Sequence, residues 1–147
     1  MPPLTLCSLI STLVILPLAW FRGGPAERAG AALFLCIYLA STMTQTWRSG
    51  DLLWGPLLVE VIFLISLIRL ALKRDRWWPM VASAVQFLVV LIFAGAALTP
   101  EITVRSGFVA GLVLGILCLY CLLGGVLERI LAGEPPAALA GRAGSPP

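Results

Sequence analysis

The sequence predicts an all-α membrane protein, a bundle of about five transmembrane helices. Of its 147 residues, 60% are hydrophobic and only 12% are charged, roughly half the charged fraction of a typical soluble domain. Five segments are nearly free of charge, and each has the length of about 20 residues that a helix needs to cross a hydrocarbon core. Because lipid offers the backbone no hydrogen bonds, an isolated apolar segment of this length is expected to be helical.

The predicted spans form a single domain over residues 1–132. They cover residues 4–21, 29–47, 52–72, 77–98 and 107–127. Pro17 interrupts the first span near its inner end, so four spans with an interfacial first helix are the alternative architecture. The tail over 133–147 is rich in Ala, Gly and Pro, and we expect it to be a disordered cytoplasmic extension.

Turn and capping residues separate these spans in order. Gly23-Gly24-Pro25 interrupts the chain before the second span, and the segment 48–51 makes a tight turn into the third. Asp75 is placed to N-cap the fourth helix, with Pro79 in its first turn, where a missing N–H costs little. Thr99-Pro100-Glu101 has the residue types of an N-cap and first turn, so it predicts the start of the fifth helix.

Two further patterns give the spans an orientation. All five tryptophans fall at predicted span ends, where an indole ring prefers to lie in a bilayer. Eight of the ten basic residues fall on one side of the predicted membrane: Arg22, Arg28, Arg69, Lys73, Arg74, Arg76, Arg129 and Arg142. The positive-inside rule then predicts an external N-terminus and a cytoplasmic C-terminus. The single lysine among these residues indicates a GC-rich coding bias, and hence a bacterial inner membrane.

Within residues 51–86, an acidic residue inside a span is followed by an Asp-Arg turn and a Trp-Pro helix start. The residues concerned are Asp51, Trp54, Glu60, Leu70-Ala71-Leu72, Asp75-Arg76, Trp78-Pro79 and Gln86. With this arrangement the segment resembles a group of small multi-span bacterial membrane proteins to which no activity is assigned. The resemblance implies a multi-span architecture and implies no catalytic residue.

Glu60 is the one acidic residue within a predicted span. An ionised carboxylate is expensive at that depth, so Glu60 is expected to be protonated, paired or turned toward a polar cavity. Antiparallel hairpins would bring polar residues of the other spans near it. The predicted polar layer consists of Thr12, Tyr38, Thr42, Glu60 and Gln86. It is either a proton- or cation-binding site or a hydrogen-bonded cluster that fixes helix register.

Small residues follow one face of the fifth span. Gly107, Gly111 and Gly115 recur every four residues, and this spacing lets helix backbones approach closely in lipid. The face is therefore predicted to contact another helix, either of this chain or of a neighbouring subunit.

A cluster of basic residues surrounds the connection between the third and fourth spans. It consists of Arg69, Lys73, Arg74 and Arg76, and we predict that it lies on the cytoplasmic side. Its expected role is to set the topology, and the alternative is a binding site for anionic lipid or an acidic partner.

The residue types give little support to metal or redox chemistry. The chain contains no histidine, the commonest general base and metal ligand, and we predict no catalytic residue, metal site or cofactor. Cys118 and Cys121 have the C-x-x-C spacing of redox pairs, similar to that of vitamin K epoxide reductase-like membrane oxidoreductases. No external cysteine pair exists to exchange with them, so these two, Cys7 and Cys36 are predicted to be small packing residues.

Two classes of function compete on these grounds. The first is a non-enzymatic accessory or assembly subunit of a membrane complex, which the short connections and the small-residue face favour. The alternative is a small homo-oligomeric transporter or channel that uses Glu60, similar in that idea to the small multidrug transporters. The expected partners are the lipid bilayer and either a membrane protein or a second copy held through the fifth span. No nucleic acid is expected.

Overall fold

A computed structural model describes residues 3–44, 54–74, 76–98 and 104–133, and every regular element in these ranges is an α-helix. The helices are α1 (Pro3–Arg22), α2 (Pro25–Thr44), α3 (Trp54–Lys73), α4 (Trp78–Leu98) and α5 (Val104–Leu131). The all-α prediction is confirmed for the described residues. The predicted turn at 48–51, the caps at Asp75 and Thr99–Glu101, and the tail from residue 134 lie outside them.

Four of the five helices are long and apolar enough to cross a membrane. They contain the segments Leu4–Arg22, Gly55–Lys73, Trp78–Gly95 and Val109–Leu131. The first helix is one of them, and Pro17 lies within a continuous α1. The helix that falls short in its described part is α2, because its first turn carries Glu27 and Arg28 and its last turns are rich in Ser and Thr.

The helices pack as a closed ring in chain order. Each helix contacts the next one, α5 returns to pack against α1, and α2 also touches α5 across the middle. The short link between α1 and α2 makes these two helices antiparallel neighbours, and so does the link between α3 and α4. As a result, the C-terminal ends of α1, α3 and α5 lie with the N-terminal ends of α2 and α4.

Local residue chemistry fixes the helix ends on that side. Gly24 precedes Pro25, whose ring suits the first position of a helix. At the other end of the chain, α5 ends at Leu131 and is followed by Gly133, which adopts a left-handed conformation with φ of 69°. The Gly133 N–H donates to the Ile130 carbonyl at 3.2 Å, so a carbonyl of the last turn is satisfied.

The interior is apolar and so is the outer surface. Leu67, Leu122 and Val126 are fully buried in the core, where Phe34 and Phe63 meet edge to face with ring centroids 5.0 Å apart. On the outside, large apolar side chains are left uncovered on every helix, among them Leu13, Phe21, Met43, Leu72, Phe87 and Leu131. A protein surrounded by water rarely exposes so much contiguous apolar surface.

Candidate functional site

The end of the bundle where α1, α3 and α5 finish collects most of the described basic side chains. Of the predicted cluster, Arg69, Lys73 and Arg74 are exposed and Arg76 is half-buried. We call this side of the molecule the basic end. Arg28 lies there too, and its Nε–H donates to the Trp20 carbonyl at the end of α1 at 2.9 Å. The carbonyls at a helix C-terminus attract positive charge, so this contact suits both partners.

A buried carboxylate lies just inside the basic end. The Glu27 side chain is fully buried, and its Oε2 accepts the Gly24 N–H at 2.8 Å. Its Oε1 accepts the indole N–H of Trp78 at 3.3 Å, and Arg129 Nη1 lies 3.9 Å from Oε2. One side chain of α2 thereby joins its own helix start to α4 and α5.

The Trp78 ring is wedged between two glycines at the same end. A Cβ added to Gly30 of α2 would lie 2.5 Å from Trp78 Cη2, and one added to Gly125 of α5 would lie even closer to the ring. Only glycine leaves room for an indole there, so three helices meet around one side chain. The neighbouring Trp77 stays half-exposed, and its N–H donates to the Glu128 carboxylate.

The sequence patterns did not single out this Glu27 group. Gly24 and Glu27 have the spacing of an N-cap residue and a carboxylate at the third helical position, so capping rules point to the first contact. Nothing local indicates Trp78 or Arg129 as partners, because both are more than 50 residues away in the sequence. Trp78 begins α4, so it lies at a helix end as predicted, but its ring is fully buried inside the bundle. Trp47 lies outside the described residues.

A second polar group lies deeper in the bundle. Gln86 of α4 is almost fully buried, and its Nε2–H donates to Glu60 Oε2 of α3 at 2.6 Å. Its Oε1 lies 3.9 Å from the thiol of Cys118 on α5, which also donates to the Ala82 carbonyl at 3.5 Å. We call Glu60, Gln86 and Cys118 the polar row. It connects three helices, and its Glu60 end is half-buried.

The other members of the predicted polar layer lie apart from the polar row. The Thr12 hydroxyl donates to the Ser8 carbonyl and the Thr42 hydroxyl to the Leu39 carbonyl, each at 2.7 Å and each within its own helix. Such bonds satisfy a hydroxyl inside an apolar medium without any partner helix. Tyr38 is 48% exposed. The structure thus brings Glu60 and Gln86 together and leaves the three other residues outside that contact.

The glycines of α5 have very different surroundings. A Cβ on Gly111 would lie 3.0 Å from the ring of Phe93, whereas around Gly115 no described atom lies within 4 Å of that position. Gly107 belongs to α5, but its surroundings lie outside what the structure describes. Among the described glycines of α5 the closest approach is further along, at Gly125, where a Cβ would lie against Trp78 Cδ1.

All four cysteines are free thiols: Cys118 and Cys121 are buried, and Cys7 and Cys36 are exposed. Among the described residues, no group of three His, Cys, Asp or Glu side chains is arranged to hold a metal ion. No protein-family model matches the chain, and no curated protein or solved structure shows significant similarity to it.

Proposed function

We propose that the chain is a multi-pass integral membrane protein that acts as a non-enzymatic accessory or assembly subunit of a membrane complex. The apolar outer surface and the four helices of spanning length support its insertion in a bilayer. We include α2 as a fifth span, because it packs between α1 and α3 and carries its charged residues only at the basic end.

The orientation belongs to the same proposal. The exposed basic side chains at the ends of α1 and α3 favour a cytoplasmic basic end, with the C-terminus on that side and the N-terminus outside, in a bacterial inner membrane. In this orientation the exposed Lys73 lies in the cytoplasm, and Tyr38, in the other half of α2, lies toward the outside.

The observation that carries the accessory role is the use made of the buried polar groups at the basic end. The Glu27 carboxylate is occupied by a backbone N–H of its own helix, the Trp78 indole and the Arg129 guanidinium. These contacts hold α2, α4 and α5 in one arrangement, as a structural subunit requires. The outer surface that remains is apolar and suits contact with lipid or with the helices of a larger partner.

The test is purification of the tagged protein from its own host in mild detergent, followed by mass spectrometry and native sizing. An accessory role predicts one stoichiometric membrane-protein partner, retained equally by the wild type and by Glu60→Gln, because Glu60 has no part in docking. Recovery of the chain as a homo-oligomer without any stoichiometric partner would overturn the proposal. An unrelated tagged membrane protein from the same host controls for non-specific capture.

A second candidate is a small homo-oligomeric transporter or channel, which the polar row favours. One oxygen of Glu60 accepts from Gln86, while the half-buried side chain leaves its other oxygen for a solute or a proton. Cation- or pH-driven flux in proteoliposomes that disappears in Glu60→Gln would support this function. Equal flux in the two proteins would exclude a coupling role of Glu60.

A further inference from the structure

The centre of the bundle is tightly packed near the basic end. There α2 and α5 meet across the middle: a Cβ added to Gly30 would lie 3.2 Å from Leu122 Cδ1 as well as against the Trp78 ring. Leu122 and Trp78 are both fully buried. At this level no space is left between the helices for a solute.

The same face of α5 is open two helical turns further from the basic end. Gly115 precedes Leu122 by seven residues, a spacing that places both on one side of a helix. Yet around a Cβ at Gly115 the described part of the chain has no atom within 4 Å. About 10 Å along the helix from Leu122, no described atom therefore lies against this face of α5.

Two other helices open at the far end in the same way. Tyr38 follows Phe34 by four residues on the core face of α2, but Tyr38 is 48% exposed and Phe34 only 8%. On α1, Leu4 shares the face of Ile15, but Leu4 is 42% exposed and Ile15 only 3%. On α1 and α2, residues that face the core are thus covered near the basic end and uncovered near the other end, whereas Gly55, Pro56 and Val59 of α3 stay buried at that other end.

Antiparallel register places Tyr38 at about the same depth as Gly115. Gly30 and Leu122 meet across the bundle, and Tyr38 lies eight residues beyond Gly30 while Gly115 lies seven residues before Leu122. The two residues are therefore at nearly the same depth. At this depth α2 presents Ile37, which repeats the face of Gly30 and is partly buried against the core, with Tyr38 beside it. On α5 the facing backbone at Gly115 is bare.

The polar row lies at the closed bottom of this space. Cys118 is the next residue after Gly115 on the same face of α5 and is fully buried. Through Gln86 it leads to Glu60, whose carboxylate is the acidic group at this level of the described helices. On α3 the nearest basic residue, Arg69, lies nine residues, or about 14 Å, toward the basic end.

We propose that the bundle opens, on the side opposite the basic end, as a vestibule that admits water and a small cation, with Glu60 as the counter-charge. Its walls are α2 around Ile37 and Tyr38 and the bare face of α5 at Gly115, and its floor is the polar row. The vestibule adds a solute-binding role to the accessory function and gives Glu60 access to the outside. It rests on the proposed orientation of the chain in the membrane.

Thiol accessibility tests the vestibule with a cationic and an anionic probe. In a background with the four native cysteines replaced by serine, single cysteines are introduced as Gly115→Cys and Leu117→Cys. Leu117 is two residues along α5 on its outward face and 47% exposed, so it provides a control at equal depth on the lipid side. Tyr38→Cys is a second vestibule position, in case Gly115→Cys does not fold.

Each intact-cell sample receives a membrane-impermeant methanethiosulfonate that carries either a trimethylammonium or a sulfonate group. We expect Gly115→Cys and Tyr38→Cys to react and Leu117→Cys to stay unmodified, because a thiol in lipid is not ionised. A carboxylate at the floor of a cleft should make the cationic reagent react roughly tenfold faster than the anionic one. Adding Glu60→Gln should remove that preference.

Lys73→Cys, exposed at the basic end, reports the orientation separately. In the proposed orientation it reacts only after the cells are permeabilised. If Lys73→Cys reacts in intact cells and the vestibule positions react only after permeabilisation, the orientation is reversed and the vestibule is upheld. Equal reaction of Gly115→Cys and Leu117→Cys, or no reaction of either vestibule position in permeabilised cells, would overturn the vestibule. A cation preference that persists in Glu60→Gln would overturn the role of Glu60.

Discussion

The two ends of this bundle are built on different principles. At the basic end, Glu27 and Trp78 are fully buried and connect α2, α4 and α5 through polar contacts and close glycine packing. At the opposite end, no described atom lies within 4 Å of a Cβ at Gly115 and Tyr38 is half-exposed, although both lie on core faces of their helices. The basic end thus forms a fixed base, and the opposite end is the mouth of the proposed vestibule.

The comparison shows how a membrane bundle can place its stabilising contacts at one end and leave the other end for access of a solute. Hydrophobic burial gives little preference for one helix arrangement over another in lipid, so close packing and interhelix hydrogen bonds decide it. Here Glu27 and the glycines around Trp78 supply such contacts at the basic end. The opposite end can then be left for the proposed vestibule.

The largest expected effect is at Glu27. Replacing it with alanine removes the acceptor of the Gly24 N–H and of the Trp78 indole and leaves the Arg129 guanidinium without that carboxylate. Loss of one partner from a buried pair costs about 3–5 kcal/mol. We expect Glu27→Ala to lower the free energy of unfolding by that order, measured by denaturation in detergent micelles.

Two further variants test whether loss of the buried Glu27 carboxylate causes this drop in unfolding free energy. Glu128→Ala removes a carboxylate that bonds to Trp77 at the exposed edge of the same end, and it should change the unfolding free energy far less. Adding Arg129→Met to Glu27→Ala should restore part of the loss, because it removes the largely buried charge that faced the deleted carboxylate. Equal losses in Glu27→Ala and Glu128→Ala would contradict the special role of the buried site.

The next largest effect is the difference in unfolding free energy between alanine substitutions at two glycines of α5. Gly125→Ala places a methyl group against the buried Trp78 ring, which has no room to move, and overpacking of this kind costs about 1–3 kcal/mol. Gly115→Ala meets open space and replaces a poor helix former, so it should be neutral or stabilising by up to about 1 kcal/mol. Unfolding of both variants in the same detergent measures the difference. A loss at Gly115 as large as that at Gly125 would exclude the open mouth.

These differences also show what sequence patterns can predict. The five helices follow from apolar segments of spanning length, and their class is confirmed in the described residues. The contact between Glu60 and Gln86 follows from hairpin register alone, because two antiparallel spans with a short turn have few ways to align. What could not be predicted is the start of α2 at Pro25, inside a segment that hydropathy assigns to a connection.

The contacts that hold the basic end together cannot be predicted from local sequence, for a physical reason. Glu27 in an apparent loop is expected to be solvated, and only the packing of distant helices removes it from water. Likewise, the regular glycine spacing in α5 gives equal weight to Gly111 and Gly115, although the structure packs one against Phe93 and leaves the other open. Local spacing sets which residues share a face. The tilt of neighbouring helices decides how closely that face is approached.

A smaller effect is expected from the indole hydrogen bond taken by itself. Trp78→Phe keeps an aromatic ring between Gly30 and Gly125 but loses the N–H that donates to Glu27. Leaving a buried acceptor without its donor lowers the free energy of unfolding by about 1–2 kcal/mol. Trp77→Phe is the matched control, because its indole bond lies at the exposed edge and water replaces it. Denaturation should therefore separate the two variants, and identical curves would show that ring packing alone matters.

The smallest effect is expected at the polar row, on which the comparison between the two ends depends. Gln86→Met keeps the length of the side chain but removes the donor to Glu60 and the acceptor near Cys118. Interhelix polar contacts in membranes average about 0.6 kcal/mol, so the loss of unfolding free energy should be of that order, several times smaller than for Glu27→Ala. A loss as large as that of Glu27→Ala would mean that the polar row is part of the stabilising framework. A small loss, together with altered modification of the vestibule cysteines, would place the polar row among the groups kept for contact with a solute.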